Sequence, residues 1–414
     1  MDFGTDGIRS TDMDYLCRVG YRLGLAQRGK SKAVVGVDNR PTSTDIAKAV
    51  AAGLGEAGVD VLFGGVMPTP ALQYATRYYT ADVGFMITAS HNPARYNGIK
   101  VFNADGLKPD RTELRALADR VDDAAPCAYT GGAALSPVDN VAKAYTERFR
   151  HFGRLPLRVA VDCANGAAYP IVKRILSLHE VEGMYLHHGE GKQINRDCGA
   201  LHPEHLKETT GVDLAVALDG DGDRCVLVTK GGQVVWGDGI LYLLAAYYTR
   251  KGVDVGGAIA STVMANGALR QALAALELRL VRTDVGDAEV AEAMRRHNLR
   301  LGGEPSGHIL ADGYVADGIY TAMLLTQIAA ECNLDDLLEP YHPLPQCHTM
   351  VNAAPDALRR ALAAADKWQD YLSGTGRVVV RPSGTEPVVR IMVECVSAGL
   401  AQTIADSIAQ AARH

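Results

Sequence analysis

The chain has 414 residues, of which 47% are hydrophobic and 22% are charged, and its formal net charge is −6. This length exceeds the roughly 250–300 residues at which a single hydrophobic core stops growing, so two to four domains are expected. The acidic balance argues against nucleic acid or an anionic membrane as a partner, because both require a basic surface.

The first part of the chain alternates short β-branched runs with longer helical patterns. Strands are predicted at 33–37, 59–63 and 83–87, and helices at 15–27, 45–57 and 70–79. This alternation is typical of an α/β unit with a largely parallel sheet. The pattern restarts near residue 158 and again near residue 257, which indicates similar units in tandem.

The order of elements changes after Leu344, where Pro343 and Pro345 indicate a linker. The predicted elements of this last part are strand 348–352, helix 357–371, strands 377–381 and 388–396, and helix 400–412. Their order indicates a smaller α+β unit.

Two glycine-rich segments match nucleotide-binding patterns but stand in the wrong context. Residues 24–31 fit the P-loop pattern, and residues 53–58 fit the dinucleotide pattern. Both motifs follow a strand and open a helix in the proteins that use them, whereas these segments end a helical stretch and lead into a strand. Gly29 is better explained as a helix C-cap. Neither ATP nor NAD is therefore predicted.

Eight cysteines are scattered along the chain, without a C-x-x-C pair or a His/Cys cluster of zinc spacing. Reduced and mostly buried thiols are expected. The first residues lack the basic start and apolar core of a signal peptide, and no apolar run approaches the ~20 residues of a membrane span. We therefore expect a cytoplasmic protein with no membrane partner.

The segment TASHNP at 88–93 presents one serine, Ser90, with His91 beside it at the end of a predicted strand. A hydroxyl in this position can act as a nucleophile. Lys100 follows the serine loop and could extend an ammonium group toward it. A serine hydrolase is disfavoured, because no Gly-x-Ser-x-Gly elbow surrounds the serine.

The segment DGDGDR sets Asp219, Asp221 and Asp223 at alternate positions directly after a strand-like run. Three carboxylates so close together need a cation, and hard oxygen ligands on a glycine turn suit Mg²⁺. An EF-hand is excluded, because its loop needs glycine at position six and glutamate at position twelve. A purely structural acidic turn is the alternative. Together with the serine, a magnesium site indicates phosphoryl chemistry.

Two further loops carry groups that suit a sugar phosphate. The segment RPSGTEP at 381–387, followed by Arg390, offers hydroxyls, turn amides and two guanidinium groups for a dianionic phosphate. The segment GGEPSGH at 302–308 offers a carboxylate, a hydroxyl and an imidazole for vicinal sugar hydroxyls. An ordinary hairpin and a plain glycine loop are the respective alternatives.

Six segments together resemble the α-D-phosphohexomutase family, and most closely its bacterial phosphoglucosamine mutase branch. In chain order they are GTDGIR at 4–9, TASHNP at 88–93, NGIK at 97–100, DGDGDR at 219–224, GGEPSGH at 302–308 and RPSGTEP at 381–387. The similarity to that branch also rests on residues 162–167 and 194–200. The resemblance covers essentially the whole chain.

The resemblance implies four domains around a central cleft: three similar mixed-sheet α/β domains and a smaller C-terminal α+β domain. In chain order they carry the phosphoserine, metal-binding, sugar-binding and phosphate-binding loops. Their expected ranges are 1–152, 153–242, 243–344 and 345–414.

The resemblance also implies an isomerase that interconverts glucosamine 6-phosphate and glucosamine 1-phosphate. The reaction would pass through phosphorylated Ser90 and a sugar 1,6-bisphosphate, which is also the activator. One Mg²⁺ per chain would be held by that serine with Asp219, Asp221 and Asp223. Phosphomannomutase/phosphoglucomutase activity is the alternative, and a catalytically inactive sugar-phosphate sensor is a further one.

Roles for single residues follow from the same resemblance. The phosphoserine region would be lined by Arg9, His91 and Lys100, and Lys100 would be a candidate general acid/base. Glu304 and Ser306 would hold the sugar hydroxyls, and His308 would lie near the reacting end. The distal phosphate would be bound by Arg381, Ser383, Gly384, Thr385 and Arg390.

Overall fold

The computed structural model describes residues 7–123, 134–138, 140–383 and 387–413. These residues form three mixed sheets and one antiparallel sheet, and helices pack against each of them. The predicted fold class, three similar α/β units followed by a smaller α+β unit, is confirmed. Among the described residues, none of the helices combines the length and the apolar character needed to span a bilayer.

The first sheet has five strands in the order β1-β5-β4-β2-β3. Its elements are β1 (Ile8–Ser10), α1 (Met13–Leu25), β2 (Lys32–Val37), α2 (Ser43–Glu56), β3 (Asp60–Val66), α3 (Thr69–Tyr78), β4 (Val83–Ile87), β5 (Asn97–Phe102), α4 (Arg111–Asp123) and α5 (Val141–Thr146). Strand β2 lies parallel to β3 and β4, whereas β5 runs antiparallel to β4 and β1. Every residue of β4 is buried, as is usual for a strand covered by helices on both faces.

The two glycine-rich segments allow helices α1 and α2 to pack closely. A Cβ atom on Gly24 would lie 2.4 Å from the carbonyl oxygen of Val50, and one on Gly53 would lie 2.0 Å from that of Tyr21. Side chains at either glycine would therefore force the two helices apart. Helix packing accounts for these two glycines without a nucleotide.

The second and third sheets repeat the plan of the first. The second unit contains β6 (Arg158–Asp162), α6 (Tyr169–Leu178), β7 (Glu182–Leu186), β8 (Leu214–Leu218), β9 (Cys225–Thr229) and β10 (Val234–Val235). The third contains α7 (Gly237–Arg250), β11 (Ala258–Thr262), α8 (Gly267–Ala275), β12 (Arg279–Thr283), α9 (Asp287–His297), β13 (Leu301–Gly303), β14 (Ile309–Ala311), α10 (Gly318–Glu331) and α11 (Leu334–Leu338). The strand orders are β10-β9-β8-β6-β7 and β12-β11-β13-β14.

All three mixed sheets share one feature that positions the site. In each, a parallel strand is followed in the chain by an antiparallel neighbour, giving the pairs β4–β5, β8–β9 and β13–β14. The loop within each pair leaves from the carboxyl end of a parallel strand, where ligands bind in open α/β sheets. These three loops carry residues 88–93, 219–224 and 304–308.

The C-terminal unit is an antiparallel sheet in the order β15-β17-β16 with two helices packed on it. Its elements are β15 (Gln346–Asn352), α12 (Ala357–Tyr371), β16 (Gly376–Pro382), β17 (Val388–Cys395) and α13 (Ala398–Arg413). The helices cover one face of the sheet. Arg381, Arg390 and Met392 line a cavity on the other face.

One hydrophobic core joins the first three units. The ring of Phe149 lies edge-to-face against Tyr145 and 5.8 Å from Tyr320 of α10, and all three residues are buried in the same cluster. Helix α10 belongs to the third unit in sequence, yet it packs on β8 and β9 of the second. Helix α7 runs continuously through the predicted boundary at 242/243. The domain ranges stay predictions.

Candidate active site

The three site loops meet at one place. Ser90 Oγ, in the β4–β5 loop, donates a hydrogen bond of 2.8 Å to Asp219 Oδ2 in the β8–β9 loop. On the other side, Asp223 Oδ1 lies 3.1 Å from His308 Nε2, in the β13–β14 loop. The structure thus brings together residues that are up to 218 positions apart in the chain, from 90 to 308.

Ser90 has a constrained backbone and a buried side chain. Its φ angle is 49°, in the left-handed region that residues with a Cβ rarely adopt, and the residue is 0% exposed. Its backbone N–H donates to Thr88 Oγ1 at 2.8 Å. Strained backbone of this kind persists where surrounding contacts over-determine it, often at functional sites.

Arg40 supplies much of that constraint. Its guanidinium pairs with Asp38 at 2.8 Å and donates hydrogen bonds of 2.7 to 2.9 Å to the carbonyl oxygens of Ser90, Asn92, Pro93 and Tyr96. The sequence-based assignment did not include this residue. The available signal was its position, because Asp38 and Arg40 come directly after a buried strand, at the carboxyl edge of the sheet.

The aspartate triplet is buried and suited to a cation. Asp219, Asp221 and Asp223 are at most 2% exposed, and a ligand oxygen of each lies within 4.8 Å of the others. Burial, reinforced by the other two carboxylates, raises the pKa of Asp219 to about 7. Asp221 Oδ1 is buried without a hydrogen-bond partner. An oxygen-only donor set with an unpartnered buried carboxylate oxygen fits Mg²⁺.

Lys100 lies within the triplet. Its Nζ is 2.8 Å from both Asp221 Oδ2 and Asp223 Oδ2, and the side chain is 2% exposed. Thr69 Oγ1 donates to the same oxygen of Asp221 at 2.5 Å. The sequence predicts Lys100 in the region of Ser90. Its ammonium group contacts the β8–β9 loop, which also carries the aspartate bound by Ser90. No motif in the sequence indicates Thr69. Its contact with the triplet depends on helix α3 beginning beside Asp221.

In the third loop, the side chains of Glu304 and Ser306 both approach the imidazole ring of His308. His308 Nδ1 lies 3.0 Å from Glu304 Oε2 and 3.4 Å from Ser306 Oγ. Burial disfavours the charged ring, but the carboxylates of Asp223 and Glu304 outweigh it and raise the pKa of His308 to about 10. These carboxylates thus favour the positively charged ring, which lies beside Asp223.

His91 has the opposite character. Burial, together with the cations of Arg224 and Arg9, lowers its pKa to about 2. The ring is therefore neutral, and Arg224 Nη2 lies 2.8 Å from its Nδ1. Arg9 Nη1 donates to Asn92 Oδ1 at 2.6 Å, so it contacts the serine loop. These guanidinium groups surround the serine with positive charge that suits a phosphoryl group.

The predicted distal clamp lies on the C-terminal sheet. Arg381 and Arg390 are directly opposite each other on β16 and β17 and line a cavity of about 260 Å³. Burial and the neighbouring Arg390 lower the pKa of Arg381, so an anion between them would relieve repulsion. Ser383 N–H donates to the carbonyl of Val388 and closes the hairpin. Gly384 and Thr385 lie outside the described residues.

Comparison with known proteins identifies the family. The chain matches four domain models of the Phosphoglucomutase/phosphomannomutase family. In chain order these are alpha/beta/alpha domain I at 1–126, alpha/beta/alpha domain II at 138–232, alpha/beta/alpha domain III at 236–344 and the C-terminal domain at 346–411. The chain belongs to this family. The loops described above thus lie in three of its α/β domains, and the arginine pair lies in its C-terminal domain.

Curated relatives match over nearly their whole length. The phosphoglucosamine mutase of Brucella abortus is 37% identical, with 98% of this chain and 96% of the relative covered. That of Histophilus somni is 36% identical, with 99% and 98% covered.

Solved structures share the fold. A phosphoglucomutase/phosphomannomutase family protein from Burkholderia thailandensis has a TM-score of 0.80 at 26% identity, covering 98% of this chain and 96% of its own. N-acetylphosphoglucosamine mutase from Aspergillus fumigatus, in complex with GlcNAc-6P and magnesium, has a TM-score of 0.69 at 18% identity, covering 100% and 95%.

Proposed function

We propose that this chain acts as a phosphoglucosamine mutase, an isomerase that interconverts glucosamine 6-phosphate and glucosamine 1-phosphate. The observation that carries the proposal is the 2.8 Å hydrogen bond from Ser90 Oγ to Asp219 Oδ2. It places a single serine hydroxyl beside a buried aspartate triplet suited to magnesium. The 37% identity to a phosphoglucosamine mutase over 98% of the chain supports the amino sugar as the substrate.

Ser90 is the proposed carrier of the phosphoryl group. In the first transfer, the bond between phosphorus and Ser90 Oγ breaks, and a bond forms from phosphorus to the free hydroxyl oxygen of the bound sugar phosphate. The resulting sugar 1,6-bisphosphate turns over in the site and returns its other phosphate to Ser90. Lys100 is the proposed carrier of the proton that a sugar oxygen loses when it is phosphorylated and regains when its phosphate leaves.

Charge neutralisation accounts for most of what the site must do. Asp219, Asp221 and Asp223 would hold one Mg²⁺, which when bound neutralises charge on the transferring phosphoryl group. The cationic group of Arg224 lies 3.8 Å from Asp219 and that of His308 lies 3.1 Å from Asp223, and both serve the same end. Phosphoryl transfer needs little more than this and accurate positioning.

The remaining loops are proposed to hold the sugar. Glu304 and Ser306 would bind its hydroxyls, and Arg381 and Arg390 would bind the phosphate that does not react. Both phosphates occupy the clamp in turn, so the clamp must accept the sugar in two orientations. Pro305 contributes no side-chain donor, and its carbonyl is engaged by the N–H of Gly237 at 3.1 Å. Because this position has no side-chain group that could select the amino substituent of the sugar, some activity toward glucose phosphate is expected.

The test is a substrate panel with purified protein and Mg²⁺. We expect kcat/KM to be highest for glucosamine 1-phosphate and lower for glucose and mannose 1-phosphates, with the matching bisphosphate supplied in each assay. Intact-mass analysis should show one phosphate, absent from Ser90→Ala. A higher kcat/KM for mannose or glucose phosphate would favour phosphomannomutase/phosphoglucomutase activity. Binding without turnover or phosphorylation would favour the inactive sensor.

A further inference from the structure

A second cluster of metal-ligating side chains lies behind the loops of the proposed mutase site. Asp162 ends strand β6, His187 follows β7, and Cys198 lies in the connection that leads to β8. Each presents one ligand atom, and these atoms lie within 4.8 Å of one another. The proposed mutase reaction uses none of them. Adjacent parallel strands end at the same edge of the sheet, which is why residues so far apart in sequence meet here.

Two imidazoles flank the carboxylate of Asp162. His187 Nδ1 lies 3.1 Å from its Oδ1, and His205 Nε2 lies 3.0 Å from its Oδ2. The two rings are 5.0 Å apart and nearly perpendicular. The carboxylate is fully buried and also accepts the backbone N–H groups of Ala164 and Gly199, at 2.8 and 2.6 Å. Carboxylates that ligate metals are typically hydrogen-bonded in this way.

The orientation of His205 points to a cation. Its Nδ1 lies 2.8 Å from the carbonyl oxygen of His202, which can only accept, so Nδ1 carries the hydrogen. In the neutral ring, Nε2 then carries a lone pair. Nε2 is buried and has no hydrogen-bond partner, although the carboxylate oxygen is 3.0 Å away. Histidines that bind metals commonly donate their other N–H to a backbone carbonyl.

We propose that this cluster is a second metal site, which takes a zinc-like divalent cation. Its ligands are Asp162, His187 and Cys198, and His205 lies beside the same carboxylate. A thiolate, an imidazole and a carboxylate suit zinc, which commonly takes three protein ligands and one water, whereas magnesium prefers oxygen ligands only. The side chain of His187 is 38% exposed, which gives an ion a path of entry.

A cation here would brace the serine loop. Asn195 lies three residues before Cys198, and its Nδ2 donates to the carbonyl oxygens of Ser90 and Asn92 at 2.8 and 3.0 Å. The loop after Asp162 packs as closely on the other side, since a Cβ on Gly166 would lie 2.2 Å from the carbonyl oxygen of Gly220. Binding would therefore fix two loops that support the proposed site, and it should raise the melting temperature.

The test uses full-length protein stripped with a chelator and titrated with Co²⁺ while Mg²⁺ is present. We expect one equivalent of Co²⁺ to give a thiolate-to-metal charge-transfer band together with the visible bands of a tetrahedral ion. Zn²⁺ should displace it and raise the melting temperature of the stripped protein. The aspartate triplet has only oxygen ligands and cannot give a thiolate band.

Variants decide which residues bind the ion. Cys198→Ser should abolish the charge-transfer band, whereas Cys17→Ser and Asp221→Asn should keep it as matched controls. His205→Gln should weaken Co²⁺ binding at least ~10-fold, since even outer-shell changes at metal sites cost this much. Cys198 is buried, so a second variant separates loss of a ligand from loss of the fold: His187→Gln, at a partly exposed position, must lower the affinity similarly. Absence of the band in the wild type, or its survival in folded Cys198→Ser, would overturn the proposal.

Discussion

The position of Ser90 depends on a residue that never needs to touch the substrate. Arg40 binds four carbonyl oxygens of the serine loop and is itself held by the buried Asp38. Lysine keeps the charge but has three donors on one nitrogen, whereas the planar guanidinium group has five donors spread over three nitrogens. The left-handed backbone of the serine would then lose part of its support.

We therefore expect Arg40→Lys to fold and to lower kcat on the order of 100-fold, because a misplacement of about 1 Å can cost that much. Intact-mass analysis should show slower phosphorylation of Ser90 by the bisphosphate. Lys48→Arg, an exposed exchange on α2, is the control. Normal phosphorylation kinetics in Arg40→Lys would show that the four carbonyl contacts do not position the serine.

Asp221 tests the metal assignment at the same scale. Its Oδ1 has no hydrogen-bond partner, and its Oδ2 contacts Lys100 and Thr69. Asp221→Asn removes one negative charge from the triplet, so we expect both the rate and the apparent Mg²⁺ affinity to fall. Mg²⁺ titrations of activity measure both. Asp45→Asn, at an exposed acid, should change neither. An unchanged titration in Asp221→Asn would mean that the triplet is structural.

Among the elements, the β16–β17 hairpin carries the clamp. Its strands place Arg381 and Arg390 directly opposite each other, so both guanidinium groups can contact the same anion. A phosphate bound between the two guanidinium groups would form charge pairs with both, and truncating one partner of such a pair when it is buried costs about 2–5 kcal/mol. Arg381→Ala should therefore lower kcat/KM strongly in both directions of the reaction, with exposed Arg359→Ala as the control. A loss confined to one direction would contradict a clamp shared by both phosphates.

Helix α7 begins with an acid whose burial predicts a pH effect. Burial raises the pKa of Asp238 to about 7, despite a hydrogen bond from the N–H of Asn266 at 2.7 Å. An unfolded aspartate titrates near ~3.9. The raised pKa means that Asp238 supports the folded state below about pH 4 and loses that contribution as the pH rises to about 7.

Asp238→Asn should abolish this loss. The melting temperature of the variant, measured relative to the wild type, should therefore rise between about pH 4 and about pH 8. The corresponding change in the free energy of unfolding has an upper limit of about 4 kcal/mol. Calorimetry at both ends of the range measures it. Asp45→Asn, an exposed acid in the first turn of α2, should show no such trend. A pH-independent difference for Asp238→Asn would contradict the raised pKa.

At the scale of the whole molecule, one arginine joins the C-terminal domain to the third. Arg377 donates to the carbonyl oxygens of Val263 and Ala265 and pairs with Glu394, which itself accepts the N–H of Gly267. These contacts fix the direction in which the arginine clamp faces. They lie away from the serine loop.

Arg377→Ala should loosen this joint and raise KM in both directions. The level of phosphate on Ser90 should stay unchanged, because the loops of the first two domains remain intact. Steady-state kinetics and intact mass separate the two effects, and Arg359→Ala again controls for the lost charge. Loss of serine phosphorylation in Arg377→Ala would show that the domains do not act independently.

The sequence by itself determined the fold class and the family, because both are encoded locally. The alternation of apolar runs and helical patterns predicted three α/β units and a smaller α+β unit, and contiguous segments such as DGDGDR indicated the chemistry of the site. A turn of this kind is recognisable in sequence because its three aspartates stand two residues apart. The individual roles of the site residues stay predictions.

The tertiary structure decided what depends on distant contacts. Arg40 and Asn195 stand 50 and 105 positions from Ser90, yet both bind its carbonyl oxygen. The cluster around Asp162 shows no metal-binding spacing in the sequence, and its side chains meet only because parallel strands end at one edge of a sheet. Hydrophobic patterning specifies which face of a strand is buried. Which loops meet is decided by the order of strands in the sheet, and that order brings residues together whatever their separation in the chain.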